Sequence, residues 1–206
     1  MVVVMVGVIH DDPLGRTDLL ARLRALALRR SNPPAFVAVE YDQHHFRSIA
    51  DQRPRFRSLI KTECDALTSA ELDVYSHSLA YDGDSHYEVF PSVPVLWLDE
   101  GRKWCENDLK KYPECQLAMY RHRSDGELCN IEKLSCTMKA VTQRSTSSIP
   151  DWKVRNEKFS KRICDRILEV NGSWAIAITG KLHACNSVCG SMRQLLEAAG
   201  VNCEKG

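Results

Sequence analysis

The chain has 206 residues, of which 44% are hydrophobic and 27% charged, which is the composition of an ordinary globular protein. This length favours a single domain, and a formal net charge of +1 gives no electrostatic reason to expect a nucleic-acid or anionic-membrane partner. No apolar run approaches the roughly 18 residues that a membrane-spanning helix needs, and residues 1–12 lack the basic start of a signal peptide.

Four short apolar runs predict strands, at residues 2–6, 36–39, 93–98 and 174–178, with a short edge strand at residues 201–203. Each of the four runs is apolar at consecutive positions, which is typical of strands buried on both faces. Helix-length segments with apolar stripes lie between them, and Met192, Leu195 and Leu196 mark the last. Strands that alternate with helices predict an α/β fold over residues 1–206, with a mostly parallel sheet flanked by helices and a helical insertion at residues 109–148.

The predicted strands lead into His10, Glu40, Asp99 and His183, and both histidines stand in a Gly-x-x-His sequence, "GVIH" and "GKLH". Because the carboxyl ends of parallel strands meet at one edge of a sheet, we expect these side chains to converge. Imidazole and carboxylate groups are ligands for Mn, Fe, Co or Zn, so the four residues are candidate metal ligands. Asp99 has an alternative role as the cap of a following helix. The glycines are expected to let the backbone turn sharply and come close to a ligand.

A helix from about residue 149 contains the other two candidates, Arg155 and Asn156. Asn156 falls on the apolar stripe with Trp152 and Phe159, so its amide should be buried and needs hydrogen-bond partners. It either caps a neighbouring backbone group or points at the site. Arg155 lies beside the stripe and could reach the rim of a pocket.

The segments "GVIH" with "VAVEYD", "VLWLDEGR", "VRNEKFSKRI" and "AITGKLHA" with "SMRQLLEAAGV", in that order, resemble the TraB/TIKI family over most of the chain. The wider ChaN-like and erythromycin-esterase-like group shares parts of this layout. The resemblance implies a compact α/β fold with the motif residues at one end of the sheet. It implies metal-dependent cleavage of peptides by analogy with some relatives, and shutdown of peptide pheromones, binding of haem iron or esterase activity by analogy with others.

Position by position, the resemblance makes His10 and His183 the paired metal ligands and Glu40 a ligand or general base. Asp99 matches the strand-end aspartate, and Arg155 with Asn156 matches an Arg-Asn pair that opens a helix.

Two features depart from the family pattern. Arg102 stands further from Asp99 than the usual adjacent basic residue, and Lys181 lies inside the second corner, where it would put a cation beside a metal unless its side chain points away.

Together these observations predict a metal-dependent hydrolase with a peptide or small-molecule substrate. In this hypothesis a metal-bound water attacks the substrate, Glu40 or a second carboxylate accepts the proton, and Arg155 and Asn156 orient the substrate or stabilise an oxyanion. Two alternatives use the same pocket. One is a protein that captures a small ligand or peptide without turnover. The other is a metal-independent esterase with a histidine base.

The cysteines, together with His77 and His86, are not assigned to the candidate site. The nine scattered cysteines, without any Cys-x-x-Cys pair, fit reduced thiols and a cytoplasmic location. Cys185 and Cys189 have the spacing of half a zinc site, but helical spacing with an apolar role is the preferred interpretation. His77 and His86 are predicted to lie at the surface.

Overall fold

The computed structural model describes residues 1–8, 15–40, 85–99 and 149–206, together with the single positions 54, 57, 58, 61, 68–70 and 73. Its elements in chain order are β1 (Val2–Val8), α1 (Gly15–Arg29), β2 (Val37–Val39), α2 (Ser85–Val89), β3 (Val95–Trp97), α3 (Ile149–Glu169), β4 (Trp174–Gly180), α4 (Lys181–Ala184), α5 (Met192–Ala198) and β5 (Asn202–Lys205). The predicted insertion at residues 109–148 and the candidate ligand His10 lie outside the described residues.

The five strands form one sheet in the order β3-β2-β4-β1-β5, and every pair of neighbours is parallel. The predicted α/β fold with a parallel sheet is therefore confirmed, including the edge strand near residue 202. The central pair, β1 and β4, runs in register from Val2 opposite Trp174 to Val8 opposite Gly180.

Both faces of the sheet are covered by helices, which explains why the strands are apolar at consecutive positions. On one face, here called the α3 face, strand residues such as Met5, Ala38 and Ala177 pack against Phe159 of α3 and Leu196 of α5. The opposite face packs against α1, and its members include Val6, Val39, Ile178, Leu19, Leu23 and Phe90. Each large side chain fully buried in these layers contributes about 1.5–3 kcal/mol to folding.

The connections place a crevice at the carboxyl ends of β1 and β4. After β1 the chain passes through α1 to β2, beyond β4, whereas after β4 it passes through α4 and α5 to β5, beyond β1. Connections that leave adjacent parallel strands in opposite directions open a crevice between them, where α/β proteins bind their ligands. The topology therefore predicts a ligand-binding site at the ends of β1 at Val8 and of β4 at Gly180.

Two sequence-based predictions are wrong. His86 is fully buried in α2 rather than at the surface, since α2 packs against α1. Cys185 and Cys189 do not lie on a helix, because α4 ends at Ala184 and α5 begins at Met192. Of the helices in the described ranges, none has the length and apolar character that a membrane span requires.

Candidate active site at the carboxyl edge of the sheet

Glu40 follows β2 directly and connects three parts of the fold. Its Oε2 accepts a hydrogen bond from the backbone N–H of Gly180, at the end of β4, at 2.5 Å. Its Oε1 accepts one from Nη2 of Arg155 in α3, at 3.0 Å. The residue is only 9% exposed. The carboxylate is thus held in a fixed position at the carboxyl edge of the sheet.

Arg155 lies between the two candidate carboxylates. Its Nε donates to Oδ1 of Asp99 at 3.3 Å, and its Nη2 donates to Oδ2 of Asp99 at 2.5 Å as well as to Glu40. Its guanidinium also lies over the ring of Phe159, with Cζ 5.1 Å from the ring centroid. Burial lowers the pKa of Arg155, but the charges and hydrogen bonds of Glu40 and Asp99 outweigh it, so the pKa is raised. The guanidinium therefore stays charged.

Asn156 holds the ring of His183. The Nδ2 of Asn156 donates to the carbonyl oxygen of Gly190 at 3.0 Å, and its Oδ1 lies 2.5 Å from Nδ1 of His183. Because a carbonyl can only accept, the contact with Gly190 assigns the orientation of the amide, and Oδ1 must be an acceptor. Nδ1 of His183 therefore carries a proton, and Nε2 is the nitrogen left for chemistry.

Nε2 of His183 faces Glu40, with a separation of 3.4 Å from Oε1. This is longer than the roughly 2.7–2.9 Å of a charge-assisted N–H···O bond. The ring is 5% exposed and packs on Phe159, with ring centroids 5.7 Å apart. Imidazole and carboxylate are therefore neighbours in a largely dry environment without being in tight contact.

Gly7, the glycine of the first Gly-x-x-His sequence, packs against α4, which carries the histidine of the second. A Cβ on Gly7 would lie 3.1 Å from Cα of Lys181 and 3.2 Å from Cβ of Ala184, so a glycine in the first corner makes room for the helix of the second. Gly7 lies inside β1 and does not have a positive φ, so it does not form the expected sharp turn, and the element that lies close to it is α4. Lys181 is exposed.

The structure brings Glu40, Asp99, Arg155, Asn156 and His183 together, and these are five of the six residues that the sequence singled out. The sixth, His10, follows two residues after the end of β1 at Val8, and Val8 is the strand partner of Gly180. The arrangement also depends on two backbone groups, the N–H of Gly180 and the carbonyl of Gly190, which have no sequence signature of their own.

Some of the nitrogen and oxygen atoms of the site have the spacing that ligands of a metal ion require. No group of three or more potential ligands is found within the described part of the chain. His183 Nε2 and Glu40 Oε1 do fit as two ligands, because 3.4 Å is the spacing of neighbouring ligands around a tetrahedral ion with bonds of about 2.0–2.1 Å. Both oxygens of Asp99 instead accept hydrogen bonds from Arg155.

Comparisons of the chain with protein-family models, with curated proteins and with solved structures give no match. The resemblance to the TraB/TIKI family therefore stays a prediction from the motifs.

Proposed function

We propose that the carboxyl edge of the sheet is the active site of a metal-dependent hydrolase that cleaves a peptide or ester bond. His183 and Glu40, with His10 from the neighbouring corner, would hold a divalent ion, either Mn, Fe, Co or Zn. The observation that carries the proposal is the orientation of His183. Oδ1 of Asn156 accepts a hydrogen bond from the protonated Nδ1 of His183, which leaves Nε2 facing Glu40 at ligand spacing. A histidine fixed in this way by a hydrogen bond on its other nitrogen is typical of metal sites.

A divalent ion bound there supplies a Lewis acid and lowers the pKa of water toward neutrality. The carboxylate of Glu40, which faces Nε2 of His183, is placed to accept a proton from a water there through the oxygen that does not hold the ion. Burial of the carboxylate and the imidazole strengthens each of these electrostatic interactions.

Arg155 is the group that can receive the substrate. Its Nε and Nη2 are bound to Asp99 and Glu40, but its Nη1 donates to none of the described residues, and the side chain is 19% exposed. A guanidinium group whose Nη1 is not bound to either carboxylate can orient a substrate carbonyl and stabilise the negative charge that develops on its oxygen. Asp99, with a side chain only 3% exposed, then serves to anchor Arg155 and not to bind the metal.

A second candidate is a metal-independent esterase, and one observation favours it. Glu40 already has a cationic partner in Arg155 at 3.0 Å, so its charge is compensated without a metal. Nε2 of His183 would then act as the base for a bound water. Capture of a ligand without turnover would use the same groups, and is the outcome if no bond is cleaved.

Two finer expectations accompany the proposal. The substrate is a peptide or a small molecule, because Arg155 offers a donor for a single carbonyl group. The location is the cytoplasm, which is supported by the free state of the four described cysteines, Cys164, Cys185, Cys189 and Cys203.

The experiment that tests the function is a hydrolysis screen with fluorogenic peptides and esters. It compares the wild type with His183→Ala, and uses Arg166→Met, an exposed change on α3, as the control. We expect hydrolysis by the wild type and the control, loss with a chelator, recovery with Mn²⁺, Co²⁺ or Zn²⁺, and loss in the histidine variant. Hydrolysis that resists the chelator selects the metal-independent esterase. Undiminished hydrolysis by His183→Ala contradicts both.

A further inference from the structure

Thr179, the residue before Gly180 in β4, has a buried hydroxyl next to the site. The residue is 0% exposed, and within the described residues its Oγ1 has no hydrogen-bond partner in the protein. Buried hydroxyl groups are nearly always hydrogen-bonded, either to protein or to ordered water. An unsatisfied hydroxyl therefore marks a place where something else binds.

The register of the sheet places Thr179 beside Glu40. Val39 pairs with Ile178, so Glu40 and Thr179 are the next positions along β2 and β4. Thr179 continues the series Ala175 and Ala177, whose side chains lie on the α3 face. This is the face from which Arg155 reaches Glu40. The residue after Thr179 is Gly180, whose N–H binds Oε2 of Glu40 at 2.5 Å.

The neighbour on the other side adds no polar group. On β1 the partner of Thr179 is Gly7, which has no side chain. The space of the missing Cβ is taken by Lys181 Cα and Ala184 Cβ of α4, both of them carbon atoms. Among the strand neighbours of Thr179, the polar side chain is therefore that of Glu40, which follows β2.

We propose that Thr179 is a further residue of the site, and that its hydroxyl binds an ordered water beside Glu40. A buried water is stable where it has two to four polar partners, and here Thr179 Oγ1 and the Glu40 carboxylate supply them. Under the proposed function, on which this role rests, it is the water that attacks the substrate. The hydroxyl positions it, Glu40 takes its proton, and that proton passes to the leaving amine or alcohol as the peptide or ester bond breaks.

High-resolution crystal structures of the wild type, Thr179→Val and Thr179→Ser test the position of the water. The valine variant has nearly the same shape but no hydroxyl, and the serine variant keeps the hydroxyl. We expect a water within about 3.2 Å of Thr179 Oγ1 and in hydrogen-bond contact with Glu40. It should be present in the wild type and the serine variant and absent in the valine variant. A hydroxyl bonded to a protein group, with no water beside it, overturns the proposal.

Thermal unfolding provides a second readout. If the hydroxyl binds only water, Thr179→Val leaves no protein group without a partner, and Tm should stay within about 2 °C of the wild type. A fall of more than about 4 °C shows that the hydroxyl supports the fold through a protein partner, and contradicts the proposal.

The hydrolysis screen separates this inference from the proposed function. For a substrate that the wild type cleaves, Thr179→Val should lower kcat about 10- to 100-fold with little change in KM, and Thr179→Ser should restore most of it. A water on Thr179 in a protein that cleaves nothing overturns the proposed function and the catalytic role, but not the water site. Hydrolysis with an unchanged kcat in Thr179→Val overturns the role of Thr179 and leaves the proposed function standing.

Discussion

Asn156 and His183 form a buried pair in which the amide oxygen lies 2.5 Å from Nδ1 of the ring, while the amide nitrogen is bound to the carbonyl of Gly190. The pair joins α3 to the segment after β4. Its consequence is chemical, because it decides which nitrogen of His183 carries the proton and which faces Glu40.

Asn156→Ala should weaken metal binding about 10- to 100-fold, because the ring of His183 loses the partner that fixes its tautomer and orientation. It should also lower the free energy of unfolding by about 1–3 kcal/mol, since it leaves a buried N–H without its acceptor. Titration with Zn²⁺ or Co²⁺, together with denaturant unfolding, measures both effects.

Ser160→Ala is the matched control for Asn156→Ala. Ser160 is a buried polar residue of the same helix, and its hydroxyl donates to the carbonyl of Met192 at 3.3 Å without touching the site. This variant should lose some stability and keep its metal affinity. Equal metal affinity in Asn156→Ala and Ser160→Ala would show that the Asn156–His183 pair is only structural.

Arg155→Met should destabilise the fold by about 3–5 kcal/mol, which corresponds to a fall in Tm on the order of 10 °C. The variant removes three hydrogen bonds to Glu40 and Asp99 and takes away the charge between two buried carboxylates. Arg166→Met, on the same helix, breaks only an exposed pair with Glu169 and should change stability by less than about 0.5 kcal/mol. Similar Tm values for the two variants would mean that the Arg155 cluster does not hold the edge of the sheet together.

Gly7→Ala should disturb the site, although Gly7 is far from the described site residues in the sequence. The added Cβ would lie 3.1 Å from Cα of Lys181 and 3.2 Å from Cβ of Ala184, so α4 must move by a few tenths of an ångström, and His183 moves with it. We expect a lower Tm and weaker metal binding. The double variant Gly7→Ala with Ala184→Gly removes one of the two contacts and should recover part of the loss. No effect of Gly7→Ala on either quantity would show that α4 adapts freely.

Cys203 should make the free energy of unfolding depend on pH in the alkaline range. Burial and, to a smaller extent, the negative charge of Glu197 raise the pKa of its thiol from 9.0 to about 11. The unfolded chain therefore loses this proton first, so the contribution to stability is complete below pH 9 and is lost as pH rises from 9 towards 11. Denaturant unfolding across this pH range should show a steeper decline for the wild type than for Cys203→Ala. Parallel declines would contradict the raised pKa.

The sheet and its edge could be predicted from the sequence for a physical reason. Strands covered on both faces are apolar throughout, and parallel strands all end at the same edge, so the polar residues that follow Val39 and Leu98 had to come close together. Asn156 could be identified because an amide on an apolar stripe must find partners, and it is indeed 0% exposed.

The structural features that could not be predicted depend on contacts between segments that are distant in the sequence. Arg155 was expected at a pocket rim, but the placement of α3 puts its guanidinium between Glu40 and Asp99. The burial of His86 results from packing of α2 on α1, and a helix as short as Ser85–Val89 is too short to show an apolar stripe. The packing of Gly7 against α4 joins opposite ends of the chain, and nothing in the local sequence indicates it.

The central claim is that His183 and Glu40 are metal ligands and Asp99 is not. The most direct measurement is the metal content of tag-free protein after reloading with Mn²⁺, Co²⁺ or Zn²⁺, determined by mass spectrometry for the wild type, His183→Ala, Glu40→Gln and Asp99→Asn. We predict near-stoichiometric metal in the wild type and Asp99→Asn, and its loss in His183→Ala and Glu40→Gln. Absence of metal from the wild type, or equal metal in His183→Ala, would contradict the claim.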